Sequence, residues 1–181
     1  MTLTDIEYKQ YLNVNLRLLF FAGHQLNIVS KKTNFKQFLD LDLNIKFQCR
    51  QELAKNPSIL DNYIQLFFEE FTEEEIKILN AFKKQIKSKF IILKCLTNYA
   101  IFMDTNSDDT YAVKALGDPF DYMFDSFPVL VTTAILPFKD KIIYDGFFEA
   151  PIMYVGSNMA KTFNNDYKKA KKQGKIISSI K

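Results

Sequence analysis

Four of the five prolines (Pro119, Pro128, Pro137, Pro151) and four of the five glycines (Gly117, Gly146, Gly156, Gly174) fall beyond residue 116 of this 181-residue chain. Pro and Gly end helices and turn strands. Their crowding into the second half predicts long helices first and short, frequently turned strands afterwards. The first half carries matching helix signals. Thr4-Asp5-Ile6-Glu7 and Thr72-Glu73-Glu74-Glu75 are capping boxes. Asn56-Pro57 sets a cap residue before a proline suited to a first helical turn. Leu60, Tyr63, Ile64, Phe67 and Phe71 follow at helical spacing, as do Ile76, Leu79, Phe82 and Ile86. Leu39 to Phe47 alternates apolar and polar residues like a strand but runs into Gln51-Glu52-Leu53-Ala54-Lys55, so a helix starting near Asp42 is expected.

Beyond residue 89 the period changes. Phe90–Leu96 and Tyr99–Asp104 flank a tight turn at Thr97-Asn98. Tyr111–Leu116 follows a polar loop, and Val129–Leu136 and Ile142–Phe148 form a second hairpin around Lys139-Asp140. An extended piece, Ile152–Val155, leads into a last helix after Gly156-Ser157. The expectation is an α+β protein. An N-terminal α-helical region (1–88) precedes a five-stranded antiparallel β-meander or small barrel closed by a C-terminal basic amphipathic helix (89–181), the whole forming one compact unit. With 48% hydrophobic residues, including 18 Phe and 9 Tyr, disorder is excluded. A chain this long buries roughly 70% of its unfolded surface without disulfides or metal. Its longest apolar run, Leu18–Gly23, is far short of the ~20 residues a membrane helix needs. Without an export signal, Cys49 and Cys95 are expected to be free thiols of a cytoplasmic protein.

The strand half resembles a family of uncharacterised bacterial cytoplasmic proteins. The likeness is carried by Asn98-Tyr99-Ala100-Ile101-Phe102, by Tyr111-Ala112-Val113-Lys114-Ala115-Leu116-Gly117-Asp118-Pro119, and most strongly by Leu136-Pro137-Phe138-Lys139-Asp140-Lys141-Ile142-Ile143-Tyr144-Asp145-Gly146. Gly156-Ser157, Tyr167, Ala170-Lys171 and Gly174-Lys175-Ile176-Ile177 continue it, and Asn56-Pro57 with Ile59-Leu60-Asp61 extends it into the first half. The resemblance implies a shared fold and brings no activity with it. Some relatives carry a Cys/His metal-binding motif, and this sequence has none.

Few residues are arranged for chemistry. Two isolated Cys and one His cannot supply a tetrahedral zinc set, and no phosphate-cradling glycine pattern or nucleophile elbow exists. His24, after Leu18–Gly23, has no nucleophile spaced to serve it, so a half-buried histidine at a helix end is expected. Glu69, Glu70, Glu73, Glu74 and Glu75 suit the positive end of a helix dipole better than an acid/base pair. Asp118, Asp121 and Asp125 are the weak metal candidates, for Mg²⁺ or Ca²⁺. The simpler account is a turn in which Asp118-Pro119 starts a helix with Phe120, Met123 and Phe124 inside. No cofactor is expected.

The clearest electrostatic feature is the C-terminal segment, where residues 161–181 carry seven Lys and one Asp against a net −3 for residues 1–160. Lys161, Lys168, Lys172 and Lys175 fall within an arc of roughly 60° on a helical wheel, opposite Met159, Phe163, Tyr167 and Ala170. They are the candidate binding residues, with a solvated helix face before a Gly174 cap as the plain alternative. Residues 90–160 sum to −5, which argues against nucleic acid on the strands themselves. The leading expectation is a non-enzymatic protein-interaction module whose partner is another protein. The alternatives are a metal-dependent enzyme using the Asp118/Asp121/Asp125 loop, and a nucleic-acid-associated factor using the Lys ridge. No membrane partner is expected.

Overall fold

The structure, a computed structural model, describes residues 1–180. It is an α+β protein with seven α-helices and a seven-stranded mixed sheet among those residues. The chain divides into two units, a helical one spanning Ile6–Lys83 and a sheet one comprising Met1–Asp5 and Lys84–Lys181.

The helical unit is built on α1 (Asp5–Gln25), whose buried residues Tyr11, Val14, Leu18, Leu19 and Ala22 recur at helical spacing. Gly23 closes this stripe because nothing larger fits. A Cβ there would stand 2.7 Å from Val29 Cγ2 and 2.9 Å from Cys49 Sγ. The backbone then folds back, with the amides of Ile28 and Val29 both donating to the Gly23 carbonyl. The short α2 (Phe35–Leu39) is capped reciprocally by Asn34 and Gln37. The ambiguous alternating stretch is helix α3 (Leu43–Lys55), and the Asp42 carboxylate accepts the Asn44 amide at 2.7 Å as its cap. In α5 (Glu73–Phe82) both bonds of the Thr72/Glu75 box are present. Three details differ from expectation. Asn56 closes α3 rather than capping the next helix, whose N-cap position is Pro57. Helix α4 (Ser58–Leu66) stops before Phe67, and Phe68–Glu70 is a 3₁₀ turn, so Phe71 lies off that helix although its ring still meets Tyr63 at 5.2 Å. Ile86 is not the last residue of an α5 stripe. It opens the first strand.

That strand, β1 (Ile86–Cys95), pairs antiparallel with β2 (Ala100–Asp104), which pairs with β3 (Thr110–Lys114). The expected all-antiparallel meander then fails. β3 is followed by a link that holds α6 (Phe120–Met123), leads into β4 (Val129–Phe138), and only then reaches β5 (Lys141–Tyr144). This connection exceeds the dozen residues a crossover needs, so β5 runs parallel to β3, with Val113 opposite Ile142. β4 pairs antiparallel with both β5 and β1, so the pairings β1-β2-β3-β5-β4 return to their start. The extended piece is a strand in its own right, β6 (Glu149–Tyr154), at the edge beside β4. After α7 (Ser157–Lys172), β7 (Ile176–Ile177) adds a second parallel pair on β3. The strands therefore number seven rather than five and are of mixed direction. The first residues join too, through a bridge between Thr2 and Ala115.

Phe90, Phe102 and Phe120 are completely buried and their rings meet at 5.2–5.8 Å. The opposite face of β1 and β2 offers Ile91, Leu93, Ile101 and Met103, and Tyr167 of α7 packs into that cluster with Phe163 beside it. The segment Leu136–Gly146 does structural work. Lys139 takes the positive φ of the β4–β5 turn (54°). The buried Asp145 carboxylate accepts from Thr133 Oγ1 and the Phe147 amide. Gly146 has φ 98°, a conformation side chains rarely adopt.

Candidate functional site

Each residue singled out from the sequence has a definite place. Asp118 is exposed ahead of α6, and the cap position is Pro119 rather than Asp118. Asp121 lies against Cys95, whose thiol is pushed up to about 11, by burial first and by the Asp121 charge second. The Asp125 amide donates to the Tyr154 hydroxyl at 3.4 Å. Among the described residues no three His, Cys, Asp or Glu side chains come together so as to hold a metal ion. The three aspartates thus do not form the donor set that a metal-dependent reading requires. Phe120 and Phe124 are buried, as the turn account expects.

Lys161, Lys168, Lys172 and Lys175 are all exposed on or just after α7. The helix ends in a Schellman motif, with the Gly174 amide donating to the Lys171 carbonyl and the Lys175 amide to that of Ala170. Gly174 supplies the left-handed φ of 67°. Met159 breaks the expected pattern. It is 58% exposed rather than docked, because α7 begins at Ser157 and only from Phe163 onward does its apolar face meet the sheet. A bulge after Ile92 aims Lys94 at the same helix. Its ammonium sits 4.3 Å from the centre of the Tyr167 ring and donates to Asn164 Oδ1. Burial, and then the charges of Lys168 and Lys171, lower its pKa.

Beside α7 runs a cleft of about 610 Å³ containing Asp104, Asp108, Asp109 and Asp166 over a floor of Ile91, Met103 and Phe163. Three of the four carboxylates are already engaged. Asp104 Oδ1 accepts from Ser88 Oγ at 2.6 Å and from the Asn106 amide. Asp109 accepts from Ser107 and from Tyr111, whose hydroxyl burial and the two nearby carboxylates push up to about 12. Asp166 is paired with Lys169 at 3.1 Å. The Asp104 and Asp109 contacts hold the β2–β3 turn in place, whereas the Asp166 pair lies within α7 itself.

The helical unit carries a different feature, a groove of about 340 Å³ walled by Phe20, Phe21, Phe35, Tyr63 and Phe67. Phe21 meets Tyr63 at 4.9 Å and Phe67 at 5.9 Å, and Phe20 meets Phe35 at 5.5 Å. Arg17, His24 and Glu70 complete it. His24 donates through Nε2 to the Thr33 carbonyl at 3.1 Å and sets its ring edge to Phe20 at 4.5 Å. It therefore pins the loop after α1. Arg17 reaches Glu75 at 3.4 Å and lies over the Phe71 ring. Beside the groove, Leu66 and Phe68 are 65% and 58% exposed. The sequence reading named Phe67 and Phe71 only as a core stripe and missed Phe20, Phe21 and Phe35. The available signal was the pair of adjacent aromatics, Phe20-Phe21 and Phe67-Phe68. Neighbours on a helix point about 100° apart, so the two rings of Phe20-Phe21 on α1 cannot both face one core.

No protein-family model, curated protein or solved structure matches this chain.

Proposed function

We propose that the chain is a non-enzymatic protein-interaction module, and that the aromatic groove of the helical unit is its binding surface. The observation that carries this reading is a concave, largely apolar site with five aromatic walls, of which Phe20, Phe21, Phe35 and Phe67 are partly exposed and Tyr63 is buried. Aromatic anchors in a concavity dominate interface energetics, and the partly exposed rings here are placed to receive or supply them. The same reading keeps the protein in a reducing, cytoplasmic setting, supported by its two free thiols. The test places a photo-reactive amino acid at Phe68 and, as control, at the exposed Tyr122 of the sheet unit. A discrete cross-linked protein is expected from position 68 alone. That protein, identified and purified, should bind the wild-type chain at least tenfold tighter than the Phe20→Ser variant. Equal cross-linking from both positions, or binding indifferent to Phe20, sinks the reading.

A second reading, nucleic-acid association through Lys161, Lys168, Lys172 and Lys175, is favoured by one observation. Like charge is dense enough on α7 for Lys168 and Lys171 to act on Lys94. Replacing the four lysines by Gln should then abolish a mobility shift of RNA or DNA that weakens steeply with salt. Absence of any such shift at low salt removes this alternative.

A further inference from the structure

The segment that borders the aromatic groove is the most acidic of the chain. Residues 56–76 contain Asp61, Glu69, Glu70, Glu73, Glu74 and Glu75 and no Lys or Arg. Half of these charges are neutralised locally. Lys83 holds Asp61, Lys77 holds Glu74, and Arg17 holds Glu75. Glu69, Glu70 and Glu73 take no part in the ion pairs found, and all three are exposed on the 3₁₀ turn and the first turn of α5. Glu70 itself lines the groove.

We infer that the groove's occupant is a basic protein segment, carrying apolar or aromatic anchors flanked by Lys or Arg, that inserts its anchors among Phe20, Phe21, Phe35 and Phe67 and sets its cations against Glu69, Glu70 and Glu73. This inference rests on the interaction-module reading and names the partner's chemistry. The groove volume lies at the low end of ligand-sized cavities, about 300–1,000 Å³, which suits side-chain anchors rather than a whole cofactor. The carboxylates select among apolar segments. An acidic one would meet three like charges, and complementary potential both speeds encounter and rejects wrong partners. A second copy of α7 does not qualify, although it is basic, because its anchors Phe163 and Tyr167 are already packed on its own sheet.

The experiment uses the full chain and three fluorescent peptides of equal length: one with Lys and two Phe anchors, one with every Lys replaced by Glu, and one with both anchors replaced by Ser. Anisotropy is read at 50 and 200 mM salt. The basic anchored peptide is expected to bind, to weaken at least tenfold in the higher salt, and to weaken at least tenfold in a Glu69→Gln, Glu70→Gln, Glu73→Gln variant. These three residues are exposed, so circular dichroism should be unchanged and the melting temperature should fall only slightly, through loss of the Glu73 charge in the first turn of α5. Phe20→Ser should abolish binding, with a heteronuclear NMR spectrum checking that the fold persists. Equal or tighter binding of the acidic peptide, indifference to the triple substitution, or no binding of the basic peptide overturns the inference. Salt-sensitive self-association that is lost in the triple variant also overturns it, in favour of a second copy. Cross-linking from position 68 separates the two levels. A specific partner there, with no basic-peptide binding, refutes the basic occupant and leaves the module reading intact.

Discussion

The helical and sheet units contain nine phenylalanines each, and they use them in opposite ways. The sheet unit buries Phe90, Phe102, Phe120, Phe124, Phe138 and Phe147, whereas the helical unit buries only Phe38 and Phe82. In the sheet unit, successive residues of β1 and β2 face either the aromatic interior or α7, so both faces of these strands find cover. In the helical unit, Phe20-Phe21 on α1 and Phe67-Phe68 just after α4 are neighbouring rings that diverge, and none of the four is buried. Polar groups divide less sharply, since Asn15 and Arg50 are buried in the helical unit as well. Ser88, Asp104, Thr133 and Asp145 are buried with partners in the sheet unit, while Glu69, Glu70 and Glu73 stand in solvent on the helical one. One unit is internally satisfied. The other leaves rings and carboxylates at its surface.

Truncation should separate the two most sharply. Phe102→Ala is expected to cost about 3–5 kcal/mol, since the ring is fully buried. Phe67→Ala, at a half-buried groove wall, should cost about 1 kcal/mol. Urea denaturation measures both, and equal losses would break the contrast. Gly23→Ala probes whether the helical unit is tightly packed beneath its groove. The added methyl meets Val29 and Cys49, and overpacking of about 1–3 kcal/mol is only partly offset by a better helix propensity of about 1 kcal/mol. A stabilised variant would show a loose interior instead.

A third prediction turns on pH. The Tyr111 hydroxyl is raised from its ordinary value near 10 to about 12 in the folded state. The unfolded chain therefore releases this proton first. The contribution to stability is complete below pH 10 and is lost as pH rises from 10 through 12. Tyr111→Phe should flatten that part of the stability curve, and an unchanged curve would show that neither burial nor the Asp109 and Asp104 charges hold the hydroxyl's proton. The smallest effect belongs to the surface of α7. Changing Lys161, Lys168, Lys172 and Lys175 to Gln should leave the melting temperature nearly unchanged, because exposed charges contribute little. A large loss would mean that the helix depends on its cations for more than solvation.

The same contrast explains what could be read without coordinates. Capping residues such as Thr72 and Glu75 act within one turn, so they were legible, as was the Gly174 stop of α7. The β1–β2 hairpin followed from the short Thr97-Asn98 turn, but its register beyond Lys94 did not, because the bulge after Ile92 shifts it. The parallel β3–β5 pair did not, because it depends on where β4 inserts, and hairpin-length links describe only neighbours in sequence. Leu39 to Phe47 shows the converse failure of pattern. Its alternation is a coincidence of composition, and Leu39 and Leu43 are 41% and 65% exposed in the helices that form there. The groove was hidden for a related reason. It assembles Phe20 of α1, Phe35 of α2 and Phe67 from the cap after α4, and a periodicity scan assigns every aromatic to a core.

The return of the β4 pairing to β1 sets a timetable for the chain. Phe90 is bonded across to Asp104 on one side and to Val131 on the other. The first partner emerges from a ribosome shortly after β1 itself, and the second only once α6 and its flanking turns have been made. During that interval the β1 edge that carries Phe90, Ile91 and Ile92 has no mate. Long-range pairings of this kind slow folding, and a waiting apolar edge is where nascent chains stick to one another. Synthesis arrested between residues 115 and 125 should therefore yield a species prone to aggregate or to recruit a chaperone. Extending the chain past Phe138 should relieve it abruptly rather than by degrees.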